Sequence, residues 1–134
     1  MTTTRNKTQP VTNFNNLVPG GGLTAHERSG GHTLTRHVGL TEAQLADRIA
    51  NEGLRTTSSF TDRATAEEAI AEAISANQSA IDSWLSVTPT RPLTLRSTAS
   101  SPVGISLRRG AASVVSANQV LVVLNPDPSS TLGY

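Results

Sequence analysis

Apolar residues recur at two different spacings along this chain, and the change of spacing divides it into two parts. Between residues 23 and 85 they recur mainly every three or four positions, which is the period of amphipathic helices. From Pro92 onward they alternate with polar residues, which is the period of half-buried strands. Helices followed by strands are typical of an α+β fold, with N-terminal helices packed on a C-terminal antiparallel sheet. We expect residues 23–87 to be mostly helical and residues 92–124 mostly antiparallel strand.

Three capping boxes predict where the helices begin. A capping box is a Ser or Thr followed three residues later by Glu or Gln, and each side chain satisfies a free backbone N–H group of the helix start. Residues 24–27, 41–44 and 65–68 have this form. Gly30 and Gly31 are expected to end the first helix, and Gly53 the second, since glycine accepts the left-handed conformation that ends helices.

The third predicted helix is the longest and reaches about residue 85. Its apolar stripe consists of residues at helical spacing, namely Ala66, Ala69, Ile70, Ala73, Ile74, Ile81, Trp84 and Leu85. We expect Trp84 to lie in the core, and Glu67, Glu68 and Glu72 to lie off the stripe. Residues 32–38 are expected to be extended or irregular, and residues 56–62 to form a loop that places Phe60 in the core.

The strands predict where two arginines lie. Residues 93–96 and 103–108 alternate apolar and polar side chains, with a turn between them, and predict an antiparallel pair. Arg96 and Arg108 would then share the polar face of that pair. Residues 120–124 form a continuous apolar run, which predicts a strand buried on both faces.

The first 22 residues differ from the rest in composition. They are polar and rich in Thr and Asn, and they end in three glycines. A segment with so few apolar groups can hardly offset the entropy lost on ordering. We therefore interpret residues 1–22 as a flexible leader that can be removed without loss of thermal stability, and residues 23–134 as the folded domain.

Composition excludes several classes of protein. The chain has no cysteine, which excludes a disulfide framework and thiolate zinc sites. No apolar run approaches the length of about 18 residues that spans a membrane. The N-terminus also lacks the apolar region of a signal peptide.

The net charge is only +1, but the stretch between Asp82 and Asp127 contains four arginines and no acidic residue. Arginine binds phosphate bidentately, although an arginine-biased solvated surface explains this stretch equally well.

Candidate chemistry is concentrated in residues 23–39, which contain all three histidines. Histidine gives and takes protons near neutral pH because its ordinary pKa is about 6.5. The predicted capping box would place His26 in the first turn of a helix, where free N–H groups favour an anion. Two residues have a structural interpretation beside the functional one: His32 can simply hydrogen-bond backbone in a turn, and His37 can be a core histidine with satisfied hydrogen bonds.

A metal site is the rival chemistry for the histidines. The zinc-protease motif HExxH would require histidine at position 30, which is Gly30. His26, Glu27, His32 and His37 could still meet around a metal, but nothing in their spacing indicates it. We therefore predict no metal and no cofactor.

The histidine stretch resembles the opening motif of a known family, the bacterial RNase A-like toxin domain. The matching residues are His26-Glu27, Gly30-Gly31-His32-Thr33 and Arg36-His37-Val38-Gly39. The resemblance continues through Ser58-Ser59-Phe60 and Ser83-Trp84-Leu85 and covers roughly residues 23–134. That domain lies at the C-termini of contact-dependent growth-inhibition effectors and related polymorphic toxins. The resemblance implies an RNase A-like fold and a ribonuclease.

The resemblance also implies roles for particular residues. Metal-independent RNA cleavage needs a base, an acid and a fixed cation near the phosphate. The family's catalytic histidine and arginine correspond to His26 and Arg36, which we expect within about 6–8 Å of each other if both are to reach one phosphate. With the other histidines of this stretch and the two strand arginines added from the sequence pattern, the candidate catalytic residues are His26, Arg36 and His37, and the candidate substrate-binding residues are His32, Arg96 and Arg108.

One part of the family pattern is missing. The family has a Thr-x-Tyr-Pro motif on a final strand in the active site, and that strand follows the Gly-Tyr that stands here at Gly133-Tyr134. Either the sequence is truncated, or the domain is an inactive copy that only binds RNA or an immunity protein. Sequence after Tyr134 encoding the motif would favour the first interpretation. Without that strand, residues 120–124 would have an open edge that favours dimers or aggregates.

The resemblance finally implies partners and a place of action. We expect an RNA substrate and a cognate immunity protein in the producing cell. We also expect delivery as part of a larger effector, with action in the cytoplasm of a target bacterium.

Overall fold

The computed structural model describes residues 17–134, which form five helices and five strands. The helices are α1 (Gly22–Arg28), α2 (Thr33–His37), α3 (Glu42–Glu52), α4 (Arg63–Ala76) and α5 (Gln78–Leu85). The strands are β1 (Thr56–Phe60), β2 (Leu93–Thr98), β3 (Gly104–Arg108), β4 (Val115–Ala117) and β5 (Gln119–Leu124). The predicted α+β class is confirmed.

The strands form two separate antiparallel sheets. One sheet has the order β1-β3-β4, and the other consists of β2 and β5. The prediction that the strands around Arg96 and Arg108 pair with each other is therefore wrong. Arg96 lies opposite Leu121 in the two-stranded sheet, whereas Arg108 lies opposite Thr56 in the three-stranded sheet. Turn sequence alone suggested a hairpin, but each strand found a partner farther away along the chain.

Two hydrophobic clusters hold the helices to the sheets. The larger cluster joins α4 and α5 to the two-stranded sheet through residues such as Ile74, Ile81 and Leu95. The smaller cluster packs α3 on the three-stranded sheet through Leu45, Ile49 and Leu107. Burial of these apolar side chains is the main source of stability that joins the elements.

Strand β1 replaces the loop expected at residues 56–62. Its sequence, TTSSF, is too polar to give an apolar alternation, but Thr57 and Ser59 are buried beneath α3. Their hydroxyls remain satisfied: Thr57 donates to the carbonyl of Leu45, and Ser59 accepts from the N–H of Leu40. Phe60 packs against the larger cluster, as expected.

Strand β5 is buried on one face rather than on two. Val120, Val122 and Leu124 are buried, whereas Leu121 and Val123 are 56 % and 52 % exposed. Within the described residues β5 pairs with β2 alone, and the helices cover only the inner face of this sheet. The apolar run thus reflects strand preference at the exposed positions.

The predicted helix starts have mixed outcomes. The capping box at Thr41 and Gln44 is present in full, and Gly53 ends α3 at φ 68°. Helix α4 instead begins earlier, with Asp62 accepting from the N–H of Thr65. Asn77 then divides the predicted long helix into α4 and α5. The side chain of Thr24 is not a cap, because α1 begins at Gly22 and the Thr24 hydroxyl is buried.

The packed part of the chain begins before residue 23. Residues 1–16 of the predicted leader lie outside the described residues, but Val18 is only 3 % exposed and belongs to the larger cluster. The carboxylate of Glu67, predicted to lie off the apolar stripe, is completely buried. It accepts hydrogen bonds from the N–H groups of Val18 at 3.0 Å and Leu23 at 2.8 Å. Glu67 thus fixes the entry into α1.

None of the helices within residues 17–134 is long and apolar enough to cross a membrane.

Candidate functional site

The short helix α2 places His32 and His37 at one edge of the three-stranded sheet. Its backbone turns because Glu27 of α1 accepts hydrogen bonds at the helix start, from the N–H of Leu34 at 2.7 Å and the hydroxyl of Thr35 at 2.5 Å. A carboxylate is favourable there because it faces free N–H groups and the positive end of the helix. The expectation that residues 32–38 are extended or irregular is therefore wrong for Thr33–His37.

His37 is a half-buried imidazole surrounded by cations. It hydrogen-bonds the backbone of Ser58 in β1, and after it the chain runs beside β1, where the N–H of Gly39 donates to the carbonyl of Phe60. Burial lowers the pKa of His37 most, followed by the positive charges of Arg48, His32 and Arg36. The bond to Ser58 opposes this shift. The lowered pKa favours the neutral imidazole, in which one ring nitrogen is free to accept a proton.

His32 lies beside His37 at the start of α2. The two ring centroids are 5.6 Å apart and the rings are tilted by 47°. The carbonyl of His32 accepts from the N–H of Arg36, while the residue itself is exposed. The side-chain hydrogen bond to a turn that the structural interpretation expected is absent from the contacts of the described residues.

Two arginines share one carboxylate beside these rings. Arg36 and Arg48 both bind Glu52, with 3.0 Å between Arg48 Nε and the carboxylate. Arg48 also donates to the carbonyl of Arg36 at 3.0 Å, which ties α3 to α2. The pKa of Glu52 is lowered mainly by the hydrogen bond from Arg48. The hydrogen bond from Arg36 lowers it further. The cluster retains one net positive charge even when both histidines are neutral.

Arg48 is the residue that sequence reasoning missed. Its spacing of four from Glu52 on α3 indicates an ordinary surface ion pair. Only the packing of α3 beside α2 brings it to His37, so no local signal could have identified it.

His26 has a different environment from His37. Its Nε2 lies 2.7 Å from the carbonyl of Pro19, and since a carbonyl can only accept, this nitrogen carries the proton. Its ring is stacked on that of Tyr134, with 6.2 Å between centroids and 6° between planes. His26 thus links α1 to the backbone of Pro19 and to the ring of Tyr134. Arg36, in contrast, is paired with Glu52.

The remaining predicted substrate-binding residues lie on different sheets. Arg96 is exposed on β2, and Arg108 is exposed at the end of β3. Within residues 17–134, no three side chains of His, Asp or Glu come together in a way that could hold a metal ion.

Comparison with known proteins identifies relatives of this chain. Residues 31–134 match the model of a family described as the bacterial CdiA-CT RNAse A domain. A solved structure, the CdiA-CT/CdiI complex from Y. kristensenii 33638, has a similar fold with a TM-score of 0.72. The two chains are 41 % identical, and the match covers 78 % of this chain and 92 % of the other. None of the curated proteins matches this chain.

Proposed function

Because the chain belongs to the bacterial CdiA-CT RNase A domain family, we propose that it is a toxin ribonuclease that cleaves RNA by general acid–base catalysis. The observation that carries the proposal is the cluster around His37: one half-buried imidazole with a lowered pKa, a second imidazole and two guanidinium groups at the edge of a sheet. These are the groups that RNA cleavage through the ribose 2′-hydroxyl requires.

His37 is the base in this proposal. With its pKa lowered, it accepts the proton of the 2′-hydroxyl, whose oxygen then attacks the adjacent phosphorus. The hydrogen bond to the backbone of Ser58 fixes the plane of the ring and stabilises the imidazolium that forms. His37 was one of three catalytic candidates from the sequence.

Arg36 and Arg48 are the cations. Charge accumulates on the phosphate oxygens in the transition state, and guanidinium groups held in place by Glu52 stabilise it without having to reorganise. Arg48 contributes more to this role, because Glu52 and the carbonyl of Arg36 fix it at two points. Its positive charge also has the largest electrostatic effect on the pKa of His37.

His32 supplies the second proton transfer. Its ring reaches the same phosphate as His37 and protonates the leaving 5′-oxygen, which leaves a 2′,3′-cyclic phosphate. Since His32 is exposed, it regains its proton from water. His26 has a positioning role here, because its Nε2–H is committed to Pro19 and its face to Tyr134.

The proposal includes a protein partner and a route of delivery. The related CdiA-CT from Y. kristensenii was solved in complex with CdiI. We propose that a cognate immunity protein likewise binds this chain in the producing cell. The domain would be delivered as part of a larger effector and act in the cytoplasm of the target bacterium.

Product analysis tests the proposed function. The protein, together with any sequence that follows Tyr134 in its gene, is incubated with single-stranded RNA in EDTA, and the product ends are identified by mass spectrometry. We expect cleavage in EDTA, 2′,3′-cyclic phosphate ends, and inhibition by the cognate immunity protein. Cleavage that is lost in EDTA and restored by zinc would assign the histidines to a metal instead.

A further inference from the structure

Helix α3 covers one face of the three-stranded sheet, and the opposite face is open except at the Phe60 end of β1, which packs against the larger cluster. On the covered face, Thr57, Ser59 and Leu107 are buried beneath α3. Side chains alternate along strands, so residues between these positions point to the opposite face. There Ser58 and Arg108 are exposed, and Val115 is 64 % exposed.

The register continues this open face directly from the candidate site. Val38 forms a parallel bridge with Phe60, and the ring of His37 hydrogen-bonds the backbone of Ser58, so the ring lies beside the middle of β1. Ser58 is opposite Ser106, and Ser106 is opposite Val115 on β4. Arg108 is opposite Thr56, two residues or about 7 Å along the strand from the Ser58–Ser106 pair. A chain bound at His37 can therefore extend across hydroxyl groups to a guanidinium.

The positive charge at the Arg108 end of the sheet has no acidic partner among residues 17–134. Arg55 and Arg109 adjoin Arg108 there, because the N–H of Arg109 donates to the carbonyl of Arg55 at 2.8 Å. Within residues 17–134, none of these three exposed side chains forms an ion pair, in contrast to Arg36 and Arg48. Unpaired surface guanidinium groups attract polyanions, most strongly at low salt.

We propose that the open face of this sheet is a second RNA subsite, which holds the strand next to the cleaved phosphate. Arg108 binds a neighbouring phosphate, Ser58 and Ser106 hydrogen-bond the nucleotide between, and Val115 packs on a base or ribose. The occupant is single-stranded RNA. The open face adjoins His37, and the unpaired guanidinium groups beside Arg108 attract a polyanion, so both features indicate the substrate. This proposal rests on the proposed function and extends it from one phosphate to the adjoining nucleotides.

Binding of an RNA that cannot be cleaved tests the subsite separately from catalysis. A 2′-O-methyl oligonucleotide lacks the attacking hydroxyl, and its affinity is measured by fluorescence anisotropy at several salt concentrations. We expect Arg108→Gln to weaken binding and to reduce the slope of log K against log salt by about 0.7, the loss of one phosphate contact on a single strand. Arg91→Gln, which removes the same charge from the loop before β2, should leave affinity and slope unchanged.

A second pair of variants tests the face itself. Val115→Asp places a negative charge on the open face, whereas Val123→Asp places one at a similarly exposed valine of the other sheet. We expect Val115→Asp to weaken oligonucleotide binding at least fivefold more than Val123→Asp. Equal effects of the two would overturn the proposal.

The outcomes distinguish this proposal from the proposed function. If Arg108→Gln binds the oligonucleotide as tightly as the wild type does, and the wild type cleaves RNA, the subsite alone is overturned. A protein that binds the oligonucleotide through Arg108 but cleaves no RNA overturns only the ribonuclease assignment. If Arg108→Gln weakens binding of the immunity protein and leaves RNA binding unchanged, the face belongs to the protein partner and the subsite is overturned.

Discussion

Helices α1 and α2 each present a histidine, but the two rings have opposite kinds of neighbours. His26 on α1 is bonded to the carbonyl of Pro19 and stacked on Tyr134, so both its proton and its face are engaged. His37 on α2 is half-buried among Arg48, His32 and Arg36, and its pKa is lowered. The first arrangement holds segments of chain together, and the second is the one that suits a ring to proton transfer in the function proposed above. Residue type and motif position therefore do not assign a role until the neighbours are known.

The helices themselves are positioned in the same way despite this difference. A glutamate from another element accepts backbone N–H groups at the start of each: Glu67 of α4 for α1, and Glu27 of α1 for α2. The positions of the two histidines thus depend on each other through Glu27. The variants below test whether the two rings differ in role as their neighbours indicate.

Replacement of His37 should have the largest effect on activity. We expect His37→Ala to reduce RNA cleavage about 10²–10⁴-fold, because it removes the proton acceptor. His26→Ala should reduce cleavage far less and mainly lower the midpoint of urea unfolding, since it removes a hydrogen bond and a ring stack. For each variant, kcat/KM for RNA cleavage and the midpoint of urea unfolding are measured. If His26→Ala abolishes cleavage in a protein of unchanged stability, the comparison fails and His26 is the catalytic group.

Replacement of Arg48 should have the next largest effect. Arg48→Lys keeps the charge but loses the planar fork that holds Glu52 and the carbonyl of Arg36 together. We expect a loss in kcat of about 10²-fold, similar to that of an oxyanion donor. Arg91→Lys is the matched control and should have wild-type activity. An Arg48→Lys enzyme with full activity would show that charge alone suffices at this position.

The glutamates that position the helices should separate stability from activity. Glu67→Gln leaves one of two buried N–H groups facing an amide and removes the charge paired with Arg63, so we expect a loss of about 2–3 kcal/mol in the free energy of unfolding. Glu27→Gln, which is only partly buried, should cost about 1 kcal/mol but should lower kcat more than Glu67→Gln. Urea unfolding and cleavage rates measure the two effects. The reverse ranking in kcat would mean that α2 does not depend on Glu27.

The smallest effect concerns pH. Because the folded state lowers the pKa of His37 below its ordinary value of 6.5, the native protein binds fewer protons than the unfolded chain. Its contribution to stability is complete above pH 6.5 and is lost as pH falls through the lowered pKa. Between pH 7.5 and 5, the unfolding midpoint of the wild type should therefore fall more than that of His37→Gln. A parallel pH dependence in the two proteins would exclude a lowered pKa.

The sequence determined what depends on neighbours along the chain. The capping box of α3 and the glycine that ends it are local arrangements, in which a side chain or a flexible backbone acts within four residues. The helices α3 and α4, the strands after Pro92, and the burial of Leu45, Ile49 and Leu95 followed from periodicity for the same reason. The family was likewise readable from one stretch, because its opening motif is contiguous. Helix α4 shows the limit of local signals, since the predicted capping box at residues 65–68 is not used and Asp62 caps the helix instead.

Tertiary structure decided what depends on partners far apart in sequence. β1 is a strand because its polar hydroxyls find acceptors and donors in α3 and at Leu40, which alternation of apolar residues cannot indicate. Strand pairing placed Arg96 and Arg108 on different sheets, because many antiparallel partners satisfy the same local pattern. Arg48 meets His37 only because α3 packs beside α2. The pKa of an imidazole depends on burial and on charges a few ångströms away, so packing, and not the motif that contains it, lowers the pKa of His37.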